Sequence, residues 1–167
     1  MIFITCAYYC KNIFNLQLIP LLKNINEIYK NEKNILILYH FGYDDKLLTK
    51  LDAFSSNTLK IIKFPINNIF EMINSNKRSM KECGKIKLNI YRHGMKYCFD
   101  NFEKNQLIIF HDTDVLFLKN INNLINDVDD NDVYLSTDFK NSLQNTTLWF
   151  NHGVYFCRNN QNALKFH

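Results

Sequence analysis

Two carboxylates spaced i, i+2, Asp112 and Asp114, stand directly after the apolar run Leu107-Ile108-Ile109-Phe110-His111, and Val115-Leu116-Phe117-Leu118 follows at once. An apolar run of this length suits a strand buried on both faces, as in a parallel sheet. Carboxylates at its carboxyl end lie where open α/β sheets bind ligands. Like charges so close repel each other, which calls for a cation between them. Carboxylate oxygens suit a hard divalent metal. Asp is also common in turns, so a plain strand cap is the competing reading.

The flanking sequence supplies elements to position such a pair. Met1–Ala7 is rich in β-formers and reads as a first strand, with Tyr8 and Tyr9 at its carboxyl end. Leu18, Leu21, Leu22, Ile25, Ile28 and Tyr29 fall at helical spacing, ending near Lys30. Pro20 marks either the first turn of that helix or a kink. Ile35–Tyr39 is a second strand, and Asp44 caps a helix carrying Leu47, Leu48, Leu51 and Phe54. Leu59–Phe64 is a third strand, stopped by Pro65, and residues 66–76 form an irregular or short helical connection. A long helix is expected from about Lys77 to Phe102, with Leu88, Tyr91, Met95, Cys98 and Phe102 as its buried stripe and Gly84 as a candidate break. Lys87, Arg92 and Lys96 lie off that stripe, where a solvated face is the ordinary explanation.

After the Asp-Thr-Asp strand come a short helix around Asn120–Asn126 and a fifth strand, Val133–Ser136, ending at Asp138. Thr147–Cys157 is a sixth strand, and a last helix begins near Asn159. Strands alternating with helices give an α/β sandwich, a mostly parallel central sheet with helices on both faces. No internal repeat and no linker divides the chain, so residues 1–167 read as a single domain.

Composition excludes several classes. Hydrophobic residues make up 47% and charged residues 22%, near the globular average, so the chain is neither disordered nor fibrous. Its apolar runs are too short to span a bilayer. The first residues read as a strand and not as a signal peptide. The net charge of +4 comes from scattered lysines without a basic block, so nucleic acid is not indicated. Cys6, Cys10, Cys83, Cys98 and Cys157 are odd in number and lack a paired C-x-x-C, so neither a zinc site nor a disulfide framework is supported. Cys6, Cys98 and Cys157 are expected as small core residues, and a reducing, cytoplasmic compartment follows.

The ordered set Thr5-x-Ala7-Tyr8, Ile108-Ile109-Phe110-His111-Asp112-Thr113-Asp114-Val115-Leu116-Phe117-Leu118 and Phe150-Asn151-His152-Gly153-Val154-Tyr155-Phe156-Cys157-Arg158 resembles the nucleotide-diphospho-sugar glycosyltransferases of the GT-A fold. Those enzymes carry Asp-x-Asp after an apolar strand and often Asn-x-Gly with a following Arg about thirty-five residues later. The resemblance spans essentially the whole chain in element order.

It implies a Rossmann-like GT-A sandwich and sugar transfer from a UDP- or GDP-linked donor to a glycan, protein or small-molecule acceptor. Mn²⁺ or Mg²⁺ would neutralise the diphosphate leaving group. By the same resemblance Asp114 ligates the metal directly, while Asp112 serves the metal and the ribose. Thr113 lies between them at the nucleotide. Thr5, Ala7 and Tyr8 line the nucleoside, a Tyr ring stacking on the base. Arg92 or Lys87 meets the phosphates, and Asn151, His152 and Gly153 face the sugar or acceptor. Tyr8 as strand-end packing and Asn151–Gly153 as a β-bulge are the plainer alternatives. His111 and His152 are either metal ligands or pocket-wall residues. Asp138 is a candidate acceptor-side base or a cap, so neither inversion nor retention is derived from residues; the resemblance alone leans to retention.

Members of that family usually continue well past the equivalent of His167, and a third metal ligand and much of the acceptor site come from that later part. The chain therefore reads as the donor half of the fold, lacking its acceptor part. A non-catalytic sugar-nucleotide-binding domain is the alternative from another class. A haloacid dehalogenase-like phosphatase also uses Asp-x-Asp, but Leu116 and the short remainder of chain fit it poorly.

Overall fold

The computed structural model describes residues 1–8, 11–66, 80–121, 133–142 and 145–166, with backbone alone for 80–85, 133–142 and 145–153. Strands β1 (Ile2–Tyr8), β2 (Asn34–Phe41), β3 (Leu59–Pro65), β4 (Leu107–His111), β5 (Val133–Ser142) and β6 (Asn145–Arg158) form one sheet in the order β3-β2-β1-β4-β6-β5. β1 pairs in parallel with both β2 and β4, and β2 with β3. β6 runs antiparallel to β4 and β5. The sheet is thus mostly parallel, with one reversed strand near its edge.

β1 shows why both faces must be covered. Alternate side chains of a strand point to opposite faces. Met1, Phe3 and Ala7 join one core with helix α1 (Ile19–Ile28) and helix α2 (Asp45–Asp52). Ile2 and Ile4 join a second core with helix α3 (Met80–Asn101) and helix α4 (Gln161–Phe166). Asp44 caps α2 as expected, its carboxylate accepting from the Leu47 N–H at 2.8 Å.

α1 is entered through a short α-turn, Lys11–Ile13, and a π-turn, Phe14–Leu18. Proline within a helix lacks a donor and crowds the carbonyl four residues earlier. Here the Ile19 N–H reaches the Phe14 carbonyl in the wider π pattern, and Pro20 falls in the first turn of α1. The first-turn expectation for Pro20 is thus borne out, with the π-turn leading into that turn.

Several sequence expectations are corrected. Gly84 lies inside α3 and does not break it. Leu88 is 59% exposed, whereas Ile90, Tyr91, Met95 and Cys98 are buried. Stepping back from Cys98 at 3.6 residues per turn puts the inward face at residue 87, not 88. β5 continues through Asp138, which pairs with Trp149 in a long hairpin with β6, so Asp138 is neither a strand end nor a cap. Asn120 and Ile121 are irregular, and the rest of the expected helix at 122–126 lies outside the described residues, as do Tyr9 and residues 67–76 of the third connection. Cys98 and Cys157 are buried, but Cys6 is half-buried.

Candidate active site

The chain lays β2 and β3 on one side of β1 and then crosses to place β4 on the other. Such a reversal leaves a crevice at the carboxyl ends of the two diverging strands, where open α/β sheets bind ligands. A cavity of about 320 Å³ occupies this position, lined by Cys6, Tyr8, Gln17, Lys87, Asp112, Thr113 and Asp114.

Strand parity decides which residues reach it. On β1, Cys6 and Tyr8 line the cavity, while Thr5 and Ala7 are buried toward the other face and do not. The parity continues past β4. Asp112 turns to the α3 side, where Lys87 Nζ stands 2.5 Å from its Oδ1. Thr113 turns to the α1 side, its hydroxyl donating to Gln17 Oε1 at 2.8 Å. Asp114 is exposed at the rim. Lys87 also lies 5.5 Å from the centre of the Tyr91 ring, a cation–π contact that holds the ammonium over the cavity. Arg92 is exposed on α3 and is not among the lining residues.

His111 is completely buried. Its ring packs edge-on against Phe3 and Phe117, at centroid distances of 6.0 and 5.7 Å. Nδ1 lies 2.9 Å from the Asp112 carbonyl; a carbonyl only accepts, so Nδ1 carries the proton and Nε2 is bare. That Nε2 has no partner, and burial pushes the imidazole down to about 4. His111 is a neutral wedge beneath the loop, orienting the Asp112 backbone, and is too deep to ligate a metal in the cavity.

The loop after β4 is stitched to α1 and its flanks. Asn24 Nδ2 donates to the Phe117 carbonyl at 2.9 Å, and the Phe117 N–H donates to Asn24 Oδ1 at 2.7 Å. Asn120 Nδ2 donates to Glu32 Oε1 at 2.5 Å. Gln17, Asn24 and Glu32 meet residues 113, 117 and 120 in turn, so the loop runs alongside the helix.

Asn151, His152 and Gly153 are defined by backbone alone. His111 pairs with Val154, so these three residues run past the carboxyl end of β4 beside Asp112. The β5 register jumps from Leu135↔Tyr155 to Ser136↔Asn151, making residues 152–154 a bulge. The bulge expectation for this segment is borne out by the register, and bulges are over-represented next to active sites.

Cys6 and Gln17 are the lining residues that sequence reasoning missed. The Cys6 thiol is pushed up to about 11, first by burial, with Lys87 lowering and Asp112 raising it. It is a protonated wall residue and not a thiolate nucleophile. Among the described residues, no three His, Cys, Asp or Glu side chains gather to hold a metal ion by themselves. The chemistry of Asp112 and Asp114 nonetheless suits a hard cation. One of them already carries a cationic group, the Lys87 ammonium.

Known structures share this architecture. Galactosyltransferase LgtC, solved with donor and acceptor sugar analogs, matches over 99% of this chain and 59% of its own, at TM-score 0.59 and 14% identity. The bifunctional glycosyltransferase WbbM matches over 98% of this chain and 32% of its own, at TM-score 0.58 and 12% identity. Mouse xyloside xylosyltransferase 1 matches over 98% and 68%, at TM-score 0.53 and 11% identity. The fold is the GT-A sandwich, and the chain spans 59% of the length of LgtC. Residues 42–167 match the nucleotide-diphospho-sugar transferase family, and the chain belongs to it. No curated protein matches.

Proposed function

We propose that this chain binds a nucleotide-diphosphate sugar in the crevice between β1 and β4 and serves its transfer to an acceptor. The observation that carries this reading is the meeting of Asp112, Asp114, Lys87 and Tyr8 around one cavity at the strand reversal. Asp112 and Asp114 would hold Mn²⁺ or Mg²⁺, whose bound charge stabilises the departing diphosphate. With two carboxylates from the described residues, the remaining coordination would come from phosphate oxygens, water or residues elsewhere in the chain. Lys87 supplies a mobile positive charge at the phosphates. Tyr8 offers a ring to the base. The bulge at 152–154 would bring Asn151 and Gly153 to the sugar. Free thiols at Cys6, Cys98 and Cys157 support work in a reducing compartment such as the cytoplasm.

The family membership sets aside the phosphatase alternative. The alternative is a non-catalytic sugar-nucleotide-binding domain, which the same cavity would equally serve. Titration with UDP- and GDP-sugars in the presence of Mn²⁺ tests binding, and release of free sugar tests turnover. Asp114→Ala should lower metal-dependent binding by at least tenfold with little change in melting temperature, since Asp114 is exposed. Binding that survives Asp114→Ala undiminished would remove the metal role. Binding without any sugar release or transfer would favour the non-catalytic reading.

A further inference from the structure

The Lys87–Asp112 pair sits at the one carboxylate that both the ammonium and a divalent cation would need. The two charged groups are 2.5 Å apart, with side-chain exposures of 22% and 39%, so solvent screens them only in part. A cation entering beside Asp112 meets a like charge fixed at contact distance, and like charges at such range oppose each other strongly. Lysine is a point charge on a flexible stem, and phosphate oxygens compete well for it. Lys87 need not travel far to reach a phosphate, because it already lines the same cavity.

We propose that Lys87 is a tethered counter-ion that occupies Asp112 until a diphosphate draws it away, so that divalent cation and diphosphate bind cooperatively. This rests on the donor-binding reading above and adds to it an order of events. With Asp112 neutralised by Lys87, metal alone binds weakly. A diphosphate turns the ammonium toward its own oxygens and frees the carboxylate for the metal. Linkage is reciprocal, so metal must strengthen diphosphate binding by the same factor. The Lys87 ammonium stands 5.5 Å from the Tyr91 ring centre while it is paired with Asp112.

The test is Mn²⁺ titration by calorimetry or by the electron-spin signal of free Mn²⁺, with and without saturating UDP, on the wild-type chain and on Lys87→Met and Lys87→Arg. In the wild type, UDP should tighten Mn²⁺ by about tenfold or more, on the scale of one to three pKa units for a neighbouring charge. Lys87→Met should bind Mn²⁺ alone about tenfold more tightly than the wild type, and the factor by which UDP tightens Mn²⁺ should fall by about the same tenfold, leaving only what direct metal–phosphate coordination supplies. Lys87→Arg should restore the coupling. A Lys87→Met protein that is folded by circular dichroism yet binds Mn²⁺ alone no more tightly than the wild type overturns the proposal. If Mn²⁺ and UDP bind the wild type but their coupling is undiminished in Lys87→Met, the counter-ion role fails and donor binding stands. If neither binds the wild type in any combination, donor binding fails and the counter-ion role goes with it.

Discussion

Asn24 is the residue whose removal bears most directly on how the carboxylate loop is held. Its amide pairs with both backbone groups of Phe117, at 2.9 and 2.7 Å, as a neighbouring strand would. Each such bond contributes about 1 kcal/mol net, so Asn24→Ala should cost about 2 kcal/mol. Phe117 anchors the same loop from below, 5.5 Å from the Phe3 ring and 5.6 Å from Tyr29, so the apolar anchor survives while the polar one is lost. For a domain of this size the loss corresponds to about 4–8 °C in melting temperature. Asn24→Leu, similar in volume but without the amide, should lose as much, which separates hydrogen bonding from bulk. Urea unfolding followed by circular dichroism gives the free energies. Mn²⁺-dependent UDP binding, measured well below the melting temperature, should weaken severalfold as the loop carrying Asp112 and Asp114 loosens. An Asn24→Ala protein within about 0.5 kcal/mol of the wild type, the ordinary range for surface substitutions, would refute the claim that this amide holds the loop.

Two further outcomes test the frame around the site. His111 is neutral in the fold because burial lowers its pKa to about 4 from an ordinary 6.5. The unfolded chain therefore binds an extra proton below pH 6.5, and stability present above that pH is lost progressively as pH falls toward 4, by about 3 kcal/mol over the whole window. Urea unfolding at pH 7.5, 5.5 and 4.5 should show this slope flattened in His111→Gln; an unchanged slope would assign it to other groups. Asn159, fully buried, donates from Nδ2 to the carbonyls of Cys98, Phe102 and Glu103 at 3.0, 3.3 and 2.9 Å, closing the end of α3. Asn159→Ala should cost about 2–3 kcal/mol while leaving nucleotide affinity at moderate temperature unchanged, because it acts at the opposite edge of the sheet. A loss of affinity without a loss of stability would contradict that division.

The strands were legible because their apolar runs are continuous, and the carboxylate pair was legible because it interrupts one of them. The errors cluster where a shift of one residue changes a face. Reading Leu88 as inward and Lys87 as outward came from a 3-4 spacing extended one turn beyond the buried part of α3, where the helical period had drifted by a residue. Treating Thr5 through Tyr8 as one lining segment ignored the alternation that sends Thr5 and Ala7 inward and leaves Cys6 and Tyr8 at the cavity. Gln17 and Asn24 act across sequence separations of 96 and 93 residues, which no local pattern reveals. Their spacing of seven on one side of a helical segment was the only available hint. Asp138 reads as a strand terminus in sequence, yet pairing in the β5–β6 hairpin carries the strand onward to Ser142.

Thr113, set between the two carboxylates, has a consequence for how this chain can vary. Its side chain is buried and its hydroxyl is spoken for by Gln17, so the middle position of Asp-Thr-Asp is not an interchangeable spacer here. An apolar residue at 113 would strand the Gln17 amide, and an apolar residue at 17 would strand the hydroxyl; either single step is penalised while the two together are not. Positions 17 and 113 are therefore expected to drift as a pair, and a swap of both at once is the route by which the carboxylate spacing can be kept while its surroundings are rebuilt.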